Sequence, residues 1–268
     1  MIFYKTPDDI EHIRESCLLV SKTLALVASM LKPGVTGSQI DAAAEEFIRD
    51  HDAKPGFKGY NGFPSTLCIS PNEGVVHGIP TEVPFKEKDI ISIDCGSYLN
   101  GYYGDSAFTF AMPGVEDKVM ELLVCTNDSL YKGIEQAKIG NRIGDISHAI
   151  QSHNESNNYT VVRELVGHGI GKNLHEAPEV PNFGRKGRGP RIQKGLVIAI
   201  EPMINLGKKG VKQSKDGWTI ITKDLQPSAH YEHTIAVTDE GPDILSNHNL
   251  IQDAIKNNPE IRNISLKK

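Results

Sequence analysis

Apolar positions return at helical spacing early in the chain. Ile10, Ile13, Cys17, Val20 and Leu24 follow one another at intervals of three and four residues, the period of a buried helical face. Thr6-Pro7-Asp8-Asp9 gives that helix a start: a capping hydroxyl, proline in the first turn, and acids at the positive end of the dipole. Lys32-Pro33-Gly34 stops it. A second helix is expected over residues 38–50, with Ile40, Ala43, Ala44 and Phe47 inward. Residues 56–70 are rich in glycine and aromatics and read as a loop entering a strand at 66–70, with another strand at 74–77. The helical period then recurs over residues 115–137 and 143–155.

Between these helix pairs lies the run Ile91-Ser-Ile-Asp94, continuing to Asn100-Gly101 and Asp105. Asn-Gly is a two-residue hairpin signal, because both positions tolerate positive φ. In such a hairpin each residue faces the one whose number completes a sum of 201, so Asp94 sits opposite Ala107. Asp105 lies two residues from Ala107 and shares its face. Two carboxylates about 7 Å apart on a partly buried face repel by roughly 2–3 kcal/mol at an effective dielectric near 20. They call for a shared proton or a cation. Read alone, the pair is equally a turn residue and a solvated edge residue.

The helix junctions align without gaps, 32–43 against 138–149, and Lys88-Asp-Ile-Ile-Ser-Ile-Asp94 matches Lys194-Gly-Leu-Val-Ile-Ala-Ile-Glu201 with one extra residue. Two similar halves follow, about 6–112 and 113–240. Each is a helix pair and then an antiparallel sheet with a strand that ends in a carboxylate. The fold class expected is α+β, with one domain over 1–247 and a short polar tail over 248–268 that is helical around 251–255.

Composition narrows the picture. A 268-residue chain with 38% hydrophobic and 24% charged residues has ordinary globular proportions. A net charge of −5 carries no global nucleic-acid signature, so no DNA partner is expected. Four scattered cysteines, with no Cys-x-x-Cys pair, exclude a thiolate zinc site and fit a reducing compartment. No signal core or transmembrane-length run occurs, so a cytoplasmic protein without membrane contact is expected. Residues 183–194 form a basic, glycine-rich loop, read first as a solvated surface and second as a contact for ribosomal RNA.

Three further segments carry candidate ligands. His168 lies between glycines in Gly167-His-Gly-Ile-Gly171, where the glycines permit close approach to something bulky. Glu201 ends an apolar strand before Pro202. Glu232 is expected inside a strand, on the face opposite His233. Taken singly, each is also a satisfied core or strand-end residue; together, five such groups end hydrophobic segments.

Asp94, Asp105, His168, Glu201 and Glu232, in this order and these motifs, resemble the five-ligand pattern of the type I, bacterial-style methionine aminopeptidases, over about residues 5–245. Cys68 to Pro80 and Leu174-His-Glu-Ala-Pro178 add to the resemblance. It implies a pita-bread fold with the metal site between its halves. It implies two divalent ions, Mn²⁺, Fe²⁺ or Co²⁺ with Zn²⁺ admissible, since four carboxylates and one imidazole form an oxygen-rich set. Asp94 would chelate one ion, Asp105 and Glu232 would bridge, and His168 with Glu201 would complete the other. A water between the ions would be the nucleophile, with Glu201 as general base. His175 would stabilise the tetrahedral intermediate and His77 would contact substrate near the scissile amide.

The resemblance also places Tyr60, Phe63, Cys68 and Trp218 in the methionine pocket. Phe57 and Leu174 depart from it, standing where other members carry cysteine and an aromatic residue. The substrate implied is the N-terminal methionine of nascent chains, handled by a monomer with a transient ribosome contact. Two other readings compete: an Xaa-Pro aminopeptidase-like hydrolase, whose relatives carry an extra N-terminal domain, and a non-enzymatic pita-bread binding protein, which would have lost ligands.

Overall fold

The computed structural model describes residues 1–264, and residues 265–268 of the expected tail lie outside the described residues. Helix starts follow from side chains that satisfy the free amides of a first turn. At α1 (Pro7–Met30), Thr6 Oγ1 accepts the Asp9 amide at 3.2 Å and the Asp9 carboxylate accepts the Thr6 amide at 2.9 Å. Thr36 and Gln39 repeat the device at α2 (Gly37–Asp50). Such caps contribute about 1 kcal/mol each.

α1 buries Ile13, Cys17, Val20 and Leu24 against the hairpin of strands Ile90–Leu99 and Tyr102–Ala111. The approach is close: a Cβ on Gly104 would lie 2.4 Å from the Cys17 amide nitrogen. The hairpin has the register expected from Asn100-Gly101, with Asp94 opposite Ala107 and φ of 53° and 88° at the turn. Strand Ile90–Leu99 also pairs with Leu67–Pro71 and, at its end, with Lys54–Pro55.

The second half repeats the plan with α3 (Asp117–Ile134) and α4 (Ile143–Ser156). α3 is shorter than the period suggested. The Val115 amide bonds the Met112 carbonyl in a turn, and the Gln136 amide bonds Gly133, so both ends close as tight turns. A five-stranded antiparallel sheet follows, in the order Gly241–Ile244, His233–Thr238, Val197–Ile200, Gly167–Gly169, Glu176–Val180. Bonds that join the halves include the Glu232 amide to Ala107 O at 3.0 Å, Thr234 Oγ1 to Asp105 O at 2.8 Å, and Thr109 Oγ1 to His230 O at 2.7 Å.

The C-terminal segment is polar in composition but not detached. α5 (His248–Asn257) is longer than expected, lies on α1 and buries Ile251 and Ile255, with Ile261 and Ile264 buried after it. Apolar residues spaced by four sufficed to dock an otherwise polar helix. Among the described residues, no helix is long and apolar enough to cross a membrane.

Candidate metal centre

Each half delivers carboxylates from its sheet. Asp94 and Asp105 sit on one face of the hairpin, two positions apart in its register. Glu201 follows the strand Val197–Ile200 directly. Glu232 corrects an expectation: it precedes strand His233–Thr238 rather than lying inside it, and it is buried. Its amide is spent on Ala107 of the first half, so strand pairing is interrupted there while the register on either side stays the same. The glycines around His168 are required, but by neighbouring strands. A Cβ on Gly167 would lie 2.4 Å from Ala199 O, and one on Gly169 2.4 Å from Ala177 O.

Ligand atoms of Asp105, His168 and Glu232 all lie within 4.8 Å of one another. His168 Nε2 is 3.9 Å from Asp105 Oδ2 and 3.5 Å from Glu201 Oε1. Its Nδ1 is 2.9 Å from the Gly169 carbonyl. Assigned as the donor there, Nδ1 leaves the Nε2 lone pair facing the carboxylates, the tautomer a metal ligand needs. Burial lowers the His168 pKa to about 3, so the ring stays neutral.

The carboxylates are in the opposite condition. Burial raises Asp94 to about 7. Burial, then the charges of Glu232 and Asp94, pushes Asp105 well above the carboxylate range; Glu201 and Glu232 are raised likewise by burial and by one another's neighbours. Among the described residues, no lysine or arginine lines the cavity. Asp94 Oδ1, Asp105 Oδ1 and Glu232 Oε1 are buried without a hydrogen-bond partner, at about 1–3 kcal/mol each. Orphaned oxygens converging on a neutral imidazole nitrogen fit divalent cations of the oxygen-preferring kind.

The cluster floors a cavity of about 330 Å³. Tyr60, Phe63, Cys68, Trp218, Phe57, Leu174, His77 and His175 all line it. Phe63 and Trp218 meet edge to face with centroids 5.2 Å apart. Tyr60 OH is 2.8 Å from His175 Nδ1. His77 has a left-handed backbone, φ 57°, a conformation that costs a non-glycine residue about 1 kcal/mol or more and clusters at functional sites. Both His77 and His175 are reachable from solvent, yet desolvation by the cavity walls lowers their pKa values.

Sequence reasoning missed several contributors. Val76, Leu165 and Met203 complete the apolar wall. His230, fully buried, places Nε2 3.7 Å from Glu201 Oε2. Its position two residues before Glu232 was the available signal. The basic loop 183–194 is anchored at the start of α4, where the Gly187 amide bonds Asp145 Oδ1 at 2.8 Å and Arg142 bonds the Gly189 carbonyl at 2.7 Å. Arg185, Lys186, Arg188 and Arg191 are exposed on it.

Fold and site together define a metallohydrolase built from two αβ halves. The chain belongs to metallopeptidase family M24, whose model matches residues 11–239, and it has that family's pita-bread fold. It is 50% identical over 247 residues to a methionine aminopeptidase of Clostridium acetobutylicum, covering 92% of this chain and 99% of that one. It is 48% identical over 246 residues to methionine aminopeptidase 1 of Bacillus subtilis, with 92% and 99% covered. The crystal structure of methionine aminopeptidase from Rickettsia prowazekii superimposes with a TM-score of 0.91 at 40% identity, over 92% of this chain and 100% of that chain. The Xaa-Pro dipeptidase of Bacillus anthracis shares the fold, with a TM-score of 0.74 at 21% identity, and this chain spans 62% of its length.

Proposed function

We propose that this protein is a metal-dependent aminopeptidase that removes N-terminal methionine from nascent polypeptides. The observation that carries the reading is the placement of orphaned carboxylate oxygens and the neutral His168 at the floor of an apolar, aromatic-walled pocket. Asp94, Asp105, His168, Glu201 and Glu232 would hold two divalent ions, Mn²⁺, Fe²⁺ or Co²⁺ with Zn²⁺ admissible. Such ions, when bound, polarise a scissile carbonyl and bring the pKa of water toward neutrality.

The chain's own groups supply the rest. Phe63, Trp218 and Cys68 enclose an unbranched thioether by apolar burial and sulfur–aromatic contact. Glu201 takes the proton of the attacking water on its carboxylate and passes it to the departing amine. The Tyr60 hydroxyl donates to His175 Nδ1, which leaves Nε2–H to donate to the carbonyl oxygen as it gains charge. His77 contacts the substrate near the scissile amide.

Metal-reconstituted protein is expected to release methionine from Met-Ala-Ser and to leave Ala-Pro-Ala intact. Cleavage before proline alone would move the protein to the Xaa-Pro branch, and no cleavage despite metal binding would make it a binding protein. We further infer a cytoplasmic monomer whose exposed loop 183–194 touches ribosomal RNA transiently. Cosedimentation with ribosomes should then weaken as salt rises; salt-insensitive or absent cosedimentation removes that contact.

A further inference from the structure

Glu201 is gripped at both ends. Its carbonyl accepts Asn182 Nδ2 at 2.9 Å, and its carboxylate lies between two imidazoles, Oε1 at 3.5 Å from His168 Nε2 and Oε2 at 3.7 Å from His230 Nε2. His168 is accounted for as a ligand. His230 is not, although its ring is buried and its Nε2 has no hydrogen-bond partner.

The backbone of His230 is fixed from both sides by one hydroxyl. Its amide donates to Thr109 Oγ1 at 2.9 Å, and Thr109 Oγ1 lies 2.7 Å from its carbonyl, while Ser92 Oγ is 2.8 Å from the same hydroxyl. On the other edge His230 pairs with Met203, a wall residue of the cavity. A ring held this firmly beside a carboxylate, with a free nitrogen aimed at it, has one polar task available. A small rotation of the Glu201 side chain, closing about 0.7 Å, turns the contact into an ordinary hydrogen bond.

Building on the function proposed above, we propose that His230 is a positioning residue: its Nε2–H donates to Glu201 Oε2 and keeps Oε1 turned toward the His168 side of the cluster. Outer partners of this kind hold a ligand carboxylate in one orientation, and their loss typically costs ten- to hundredfold in metal affinity or activity. Glutamine can present an N–H to Glu201 from the same backbone position; leucine cannot.

The test uses purified full-length protein titrated anaerobically with Co²⁺, following affinity, stoichiometry and the visible d–d absorption. H230L is expected to bind the same number of ions as wild type, with affinity for one of them weaker by about ten- to hundredfold and an altered d–d band. On Met-Ala-Ser its kcat should fall with KM little changed, and H230Q should restore affinity and spectrum to within about threefold of wild type. If H230L does not fold, H230N, whose amide is too short to reach Glu201, replaces it. Wild-type affinity and spectrum in H230L would overturn the proposal. So would the loss of one whole ion in both H230L and H230Q, which would make His230 a ligand. Wild-type protein that binds no Co²⁺ would overturn the metal reading itself, a result distinct from either.

Discussion

Asp105→Asn is expected to lower kcat/KM by about a thousandfold or more while raising the melting temperature of the metal-free protein. The activity loss follows from removing a charge at the centre of the cluster, next to Asp94, His168 and Glu232. Lewis-acid stabilisation of a transition state is worth several kcal/mol, and about 4 kcal/mol is a thousandfold. The stability gain has the opposite origin. Without cations, Asp105 is a buried carboxylate among carboxylates, raised well above its ordinary range. An acid whose folded pKa exceeds its unfolded value stabilises fully below the unfolded pKa and loses that contribution as pH rises through the folded one. Asp94 sets the window, from its ordinary 3.8 up to about 7. The metal-free wild type should therefore lose melting temperature between about pH 4 and 8, and the asparagine variant should lose less. A gain near 1 kcal/mol would appear as about 2–4 °C at pH 8. Metal binding should tighten over the same range, because it displaces the protons these groups retain. Scanning calorimetry of both proteins with and without Mn²⁺ checks all of this. A variant that keeps its metal-dependent shift would remove Asp105 from the centre.

His175→Ala and His77→Ala should each cost roughly 10²–10³ in kcat and leave metal stoichiometry intact. Both rings line the cavity without lying among the clustered ligand atoms. Removing His175 takes away the N–H aimed at the developing oxyanion and frees the Tyr60 hydroxyl that oriented it. Removing His77 loses a side chain presented by a left-handed backbone, φ 57°. Steady-state kinetics beside metal analysis separates the roles. A His175 variant purified without metal would show that it is a ligand instead.

The half of the site carried by one hairpin was legible because a two-residue turn fixes register over ten residues on each side. The sum rule through Asn100-Gly101 held along the whole of Ile90–Leu99 and Tyr102–Ala111. The start of α1 was legible because its capping side chains are local. What depended on pairings between distant short strands was not. Ser228–His230 lies between Met203–Asn205 and the Thr109 hydroxyl, and three-residue strands carry no readable period. Glu232 was placed inside a strand because Tyr231-Glu-His-Thr-Ile alternates well. Its amide bond to Ala107 belongs to the other half and interrupts the strand pairing at that residue. α5 looked like a tail because it buries little beyond His248, Ile251 and Ile255, and four-residue spacing over one short helix is a weak signal.

Anomalous scattering from a crystal grown with Mn²⁺ tests the central claim most directly. Two peaks about 3.5–4 Å apart, coordinated by Asp94, Asp105, His168, Glu201 and Glu232 and by neither His77 nor His175, are the expected result. Peaks outside this cluster, or none within it at saturating Mn²⁺, would contradict it.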